Sequence, residues 1–156
     1  LPPEPNPLII MKSNALILLL LLAGCNNKPY TPDQLPVLQL RFGDGGGFTG
    51  AVTEYMLLEN GQLFYLNSME KDTMEIGKLK KGEAKSLLRE VEALQLEKMD
   101  VQEPGNQYYF LGMKTKDRSH QITWGSPNYT IDPTIEAVYK KLMASAKAAR
   151  KEGSLQ

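Results

Sequence analysis

Val52-Thr53-Glu54-Tyr55-Met56-Leu57-Leu58-Glu59-Asn60-Gly61-Gln62-Leu63-Phe64-Tyr65-Leu66 is the stretch whose reading decides the fold. Two runs rich in β-branched and aromatic residues flank Asn60-Gly61, a pair that tolerates positive φ, so the stretch predicts a β-hairpin. Upstream, Val37 to Phe42 is apolar-rich and predicts a preceding strand, joined to the hairpin by the glycine-dominated run Gly43 to Gly50. Downstream, Met74 to Leu79 predicts a short fourth strand. Ala84, Leu87, Leu88, Val91 and Leu94 then recur at three- and four-residue spacing, with Glu83, Lys85, Arg89, Glu90 and Glu92 between them, which is the pattern of an amphipathic helix. After the turn signal Pro104-Gly105-Asn106, Tyr108 to Lys114 and His120 to Trp124 predict a second hairpin across Lys116-Asp117-Arg118. Asp132 before Pro133 marks a helix start, a capping carboxylate followed by proline at the first helical position. Ile135, Val138, Leu142, Met143 and Ala146 form its buried stripe, and Lys147, Arg150 and Lys151 suit the negative end of the helix dipole. The order βββ(β)αββα predicts an α+β fold: a mainly antiparallel sheet of about five or six strands with two helices packed on one face.

The N-terminal part carries a different signal. Ala15 to Leu22 is an aliphatic run ending in Leu22-Ala23-Gly24-Cys25, which resembles the lipobox of bacterial lipoprotein precursors. A permanent membrane helix needs about 20 apolar residues, so this short run is the h-region of a signal peptide rather than a span. The resemblance implies cleavage between Gly24 and Cys25 and a diacylglyceryl group on the Cys25 thiol. Lys12 supplies the basic end, and Met11 is the expected start; residues 1–10, with Pro2, Pro3, Glu4, Pro5 and Pro7, do not fit a signal peptide. Residues 11–24 are then the signal peptide, 25–36 a lipidated, proline-punctuated tether, 37–150 one globular domain and 151–156 a tail. Asn26 follows the cysteine in place of the aspartate that resembles an inner-membrane retention signal, so the expected location is the cell envelope, with the outer membrane favoured over the inner.

Removing residues 1–24 leaves about 130 residues, an ordinary size for one core. Lys12 and Glu4 leave together, so the formal charge of the whole chain, zero, is kept. A neutral domain has no electrostatic basis for nucleic-acid binding. Cys25 is the sole cysteine, so no internal disulfide is available and stability must come from packing.

Gly43-Asp44-Gly45-Gly46-Gly47-Phe48-Thr49-Gly50 is the most unusual part of the domain. It lacks the Gly-Lys-Ser/Thr ending of a phosphate loop, and Asp44 alone is too few oxygen ligands for calcium. Two readings stay open. The run is a bulge or turn between strands, or Asp44, Gly45, Gly46, Gly47, Phe48, Thr49 and Gly50 form an exposed recognition loop in which Phe48 supplies apolar area. His120 is the single histidine, and no set of three or four metal ligands accompanies it. Ser119 and Ser126 lie near it in sequence without a nucleophile elbow, so a hydrolase using His120 is the less favoured alternative. Trp124-Gly125 is either a stacking surface or, more commonly for such alternation with Ile122, core.

The Gly46-Gly47-Phe48-Thr49-Gly50 segment, followed by strands, an acidic amphipathic helix, a late hairpin and a terminal helix, resembles the emfourin family of bacterial metallopeptidase inhibitors. The resemblance covers the order of elements from Val37 to Met143. It implies inhibition of a thermolysin-like peptidase, with Gly46 to Gly50 as the part to test; a lipid anchor departs from the soluble inhibitors of that family. The expectation is a non-catalytic binding module, attached to the membrane by its lipid, with an envelope protein as partner, no cofactor beyond the lipid on Cys25 and no metal.

Overall fold

The computed structural model describes residues 28–153. The signal segment, Gly24 and Cys25 lie outside the described residues. The elements are β1 (Gln39–Gly46), β2 (Val52–Leu57), β3 (Gln62–Asn67), β4 (Asp72–Lys78), α1 (Lys81–Ala93), a 3-10 turn (Leu96–Lys98), β5 (Gln102–Glu103), β6 (Gln107–Lys114), β7 (Ser119–Trp124) and α2 (Pro133–Gly153). They form a 7-stranded sheet in the order β4-β3-β2-β1-β6-β7-β5. All neighbours are antiparallel except β5 and β7. The α+β architecture is therefore as expected, with more strands than the sequence pattern gave. The addition that it lacked is β5, two exposed polar residues with no alternation to read.

Alternation places Leu40 and Phe42 of β1, Tyr55 and Leu57 of β2, Leu63 and Tyr65 of β3, Leu111 of β6 and Ile122 and Trp124 of β7 on one face. The register aligns them: Leu40 lies opposite Leu57, Phe42 opposite both Tyr55 and Leu111, and Leu111 opposite Ile122. Onto this face α1 lays Ala84, Leu87, Leu88 and Val91, and α2 lays Ile135, Tyr139, Leu142 and Ala146, giving one continuous core. Asp132 Oδ1 accepts the Thr134 amide at 2.7 Å, the cap foreseen from Asp132-Pro133. The two helices are tied at their outer edges by Lys141 Nζ to Glu90 Oε1 at 2.6 Å and by Ser145 Oγ donating to Glu83 Oε1 at 3.1 Å.

Three boundaries differ from expectation. The first strand begins at Gln39, not Val37, and continues through Gly46, so half of the presumed glycine loop is strand. The helix α2 runs to Gly153, which absorbs part of the expected tail. The expected tether is docked where it is described: Tyr30 and Leu35 pack on Met56, Leu58 and Phe64, the second apolar cluster, on the sheet face away from the helices. Gln62, 1% exposed, holds it there. Its Oε1 accepts the Tyr30 amide at 2.7 Å and the Asn60 side-chain amide at 2.6 Å, and its Nε2 donates to the Tyr30 carbonyl at 3.1 Å. A glutamine side chain thus pairs with the segment's backbone as a neighbouring strand would.

Candidate recognition site

The sheet has two ends, and the glycine run belongs to one of them. Gly45 pairs with Val52 and with Tyr108, so the β1–β2 turn, the start of β6 and the end of β7 lie together. On the face away from the helices, the missing side chains of Gly43 and Gly45 leave room for two rings of β6. A Cβ at Gly43 would overlap the Thr53 carbonyl oxygen and stand 2.9 Å from Phe110 Cζ; one at Gly45 would stand 2.6 Å from Tyr108 Oη. These glycines are required by close approach within the sheet.

The turn proper is Gly47 to Gly50. Gly46 donates its amide to the Ala51 carbonyl at 3.2 Å, Gly50 to the Gly47 carbonyl at 3.3 Å, and Gly47 to the Asn106 carbonyl at 2.7 Å. Thr49 Oγ1 accepts the Ala51 amide at 3.3 Å. Gly46, Gly47 and Gly50 all have φ between +64° and +93°, which residues with side chains rarely adopt. The turn is therefore hydrogen-bonded both internally and to the neighbouring loop, and on it Phe48 is fully exposed. Phe48 is not core.

Asp44 does not join it. Alternation turns Asp44 to the helix face, opposite Thr53 and Tyr109, where burial pushes its carboxyl pKa up and the Lys147 ammonium only partly offsets the effect. Nearby, the Tyr139 hydroxyl donates to the Gly43 carbonyl at 3.0 Å. Burial, reinforced by the Asp44 charge, raises the Tyr139 pKa far enough to keep it protonated. These groups brace α2 on β1. The exposed set is accordingly smaller than the sequence suggested: Phe48, Thr49 and Gly50, with Gly47 half-buried at the base of the turn and Gly45 and Gly46 serving in the strand.

Met69, which the sequence reading passed over, joins this end. It is 68% exposed on the β3–β4 turn. Ser68 donates its amide to the Val52 carbonyl at 2.9 Å, and its hydroxyl accepts the Val52 amide at 2.8 Å, which ties this turn to the one carrying Phe48. The available signal was a lone apolar residue in Asn67-Ser68-Met69-Glu70.

His120 lies at the opposite end of the sheet. Its Nε2–H donates to the Met99 carbonyl at 2.8 Å, and its ring helps line a cavity of about 410 Å³ with Glu92, Glu97, Met113 and Arg118. Ser119 precedes it on the strand and faces the other way, while Ser126 follows the far end of β7, about 20 Å along the chain. Neither serine is brought to His120. Among the described residues no group of three or more His, Cys, Asp or Glu is placed to hold a metal. Trp124 is core, edge-on to Tyr139 with centroids 5.1 Å apart and an interplanar angle of 83°.

No known protein family matches the chain, and no curated protein does so.

Proposed function

We propose that this chain is a cell-envelope lipoprotein, anchored through lipid on Cys25, whose domain works by binding and carries out no chemistry of its own. The observation that carries the binding reading is Phe48: a large apolar side chain fully exposed on a turn that is fixed by hydrogen bonds to Asn106 and within itself. Rigid exposed aromatics bury area on a partner at small entropic cost. The lipobox residues Leu22-Ala23-Gly24-Cys25 support the anchor, and Asn26 supports the outer membrane as its place.

Phe48→Ala tests it. Transferring a Phe side chain from water into a partner contributes about 1.5 to 3 kcal/mol, tenfold or more in affinity. The variant should retain the wild-type melting temperature and lose capture of its envelope partner in a cross-linked pull-down from native membranes. Unchanged capture rejects the turn as the contact. Cys25→Ser should abolish acylation, read by mass spectrometry of the mature N-terminus; a wild-type product without an acylated Cys25 rejects the anchor.

A second reading is an envelope-tethered inhibitor of a thermolysin-like metallopeptidase. The narrow apolar tip supports it, since a protruding turn with one aromatic suits a peptidase cleft better than a flat surface. Titration of such a peptidase with the protein decides: inhibition lost in Phe48→Ala supports this reading, and none at micromolar protein removes it.

A further inference from the structure

We propose that the cavity at the His120 end of the sheet binds a small apolar zwitterion, of the size of a hydrophobic dipeptide, with the ligand's ammonium on Glu92 and Glu97 and its carboxylate on Arg118. The site is separate from the Phe48 turn and goes beyond the binding reading given above. Its shape, its charges and its histidine each point to that ligand.

The shape follows from how α1 ends. Gln95, at φ 54°, takes a left-handed conformation that residues with side chains seldom adopt, and so turns the chain out of α1 into the 3-10 turn at Leu96–Lys98. Val91 and Leu96 are both buried there, and with Met113 of β6 they give the cavity an apolar floor. The β6–β7 side is fixed as well, since Thr115 donates its amide to the Arg118 carbonyl at 2.7 Å and closes that turn. The volume, about 410 Å³, lies near the lower end of the range for small-molecule sites, which suits a dipeptide better than a large cofactor.

Of the charged groups that line the cavity, Glu92 and Glu97 come from α1 and the 3-10 turn, and Arg118 comes from the β6–β7 turn. Among the described residues none of these three side chains makes an ion pair or a hydrogen bond. Acids and base thus stand on different elements, beyond ion-pair reach of one another across the apolar floor. Lys98, the base of the 3-10 turn, is engaged with Gln95 Oε1 at 3.1 Å, and Lys116 and Asp117 beside Arg118 offset each other. The two carboxylates disfavour an anion, and the guanidinium repels a simple amine; a zwitterion pairs with both signs while its apolar body covers the floor. His120 supplies the remaining polar contact. Its Nε2–H is committed to the Met99 carbonyl at 2.8 Å, so in the neutral ring Nδ1 is left as an acceptor for a ligand N–H.

The test titrates the full chain with leucyl-leucine, its C-terminal amide and its N-acetyl form. His120 is the single histidine, so its ring proton resonance reports the cavity alone. That resonance should shift and saturate with leucyl-leucine at a dissociation constant of about 1 mM or below. The free dipeptide should bind about two- to fivefold more tightly than either blocked form, the range that exposed ion pairs deliver. Arg118→Gln should erase the preference over the amide, and Glu92→Gln/Glu97→Gln the preference over the N-acetyl form. These side chains are exposed, and an unchanged melting temperature shows that the variants remain folded. No saturation at about ten times the stated concentration overturns the site. An amide or N-acetyl form that binds as tightly as the free dipeptide overturns the zwitterion, and preferences that survive in the charge variants overturn the assigned contacts. Phe48→Ala should titrate as wild type, so failure here leaves the Phe48 contact standing.

Discussion

Gly43→Ala and Gly45→Ala each add one methyl on the same face of β1, and the sheet predicts a large loss of stability for the first and almost none for the second. At Gly43 the new Cβ overlaps the Thr53 carbonyl oxygen and comes within 2.9 Å of Phe110 Cζ. The first obstacle is backbone of the paired strand, so relief requires β1 and β2 to separate where they exchange hydrogen bonds. Overpacking of this kind costs about 3 kcal/mol or more, which lowers the melting temperature by roughly 10 °C in a domain of this size. At Gly45 the obstacle is the end of a half-buried side chain, Tyr108 Oη at 2.6 Å and Cζ at 2.7 Å, which can swing aside. The expected steric cost is about 1 kcal/mol, largely offset by the lower unfolded-state entropy of alanine. Thermal melting of both variants, alone and with Tyr108→Ala or Phe110→Ala, measures the difference. Tyr108→Ala should remove the penalty at Gly45, whereas Phe110→Ala should not rescue Gly43→Ala. Were Gly43→Ala to melt within a couple of degrees of wild type, the glycine run would be a pliant loop, and the assignment of its first half to β1 would fail.

Asp44 holds its proton more tightly in the fold than when unfolded, because burial outweighs Lys147; stability therefore falls as pH rises from the ordinary carboxylate value through the raised one, and is level above it. Asp44→Asn should melt a few degrees higher at neutral pH and lose that advantage in acid. The Thr134 amide holds Asp132 below the usual carboxylate range, so the sign is reversed: its contribution is complete above the unfolded value and lost as pH falls through the folded one. Asp132→Ala should lower the melting temperature at neutral pH by a few degrees and make little difference in strong acid. His120→Ala loses one hydrogen bond to Met99 and about 0.5 to 1.5 kcal/mol of stability, and partner capture through the Phe48 end should be unchanged in a pull-down.

What could be read in the sequence was what local physics decides. Asn60-Gly61 closes the hairpin, with the Gly61 φ at 91°, and the three- and four-residue stripes of α1 and α2 are the faces that meet the sheet. Glycine misled because its cue is ambiguous: Gly43 and Gly45 are small so that Phe110 and Tyr108 can lie over them, and those partners are far away in sequence. The joining of β1 to β6 has the same character, since neither strand names its neighbour. Tyr30 and Leu35 were hidden among prolines and polar residues that read as tether, and their anchor, Gln62, is a polar side chain in a strand. Of the recognition run, Phe48 kept the exposure expected of a recognition element, whereas the face of Asp44 depended on a register that only the pairing with β2 and β6 fixes.

The central pairing of β1 with β6 has a consequence for the order in which the chain acquires structure. Strands β1 to β4 form a meander of neighbours and β6 to β7 a hairpin, but the two halves of the sheet meet only along Gln39–Gly46 against Gln107–Lys114. Loop closure of that length is slow, and no early segment completes the core without the later one. A nascent chain that has exposed only its first four strands lacks both β6 and α2, the elements that cover Leu40 and Phe42. The sheet therefore closes late: its two halves stay apart until β6 is available to pair with β1.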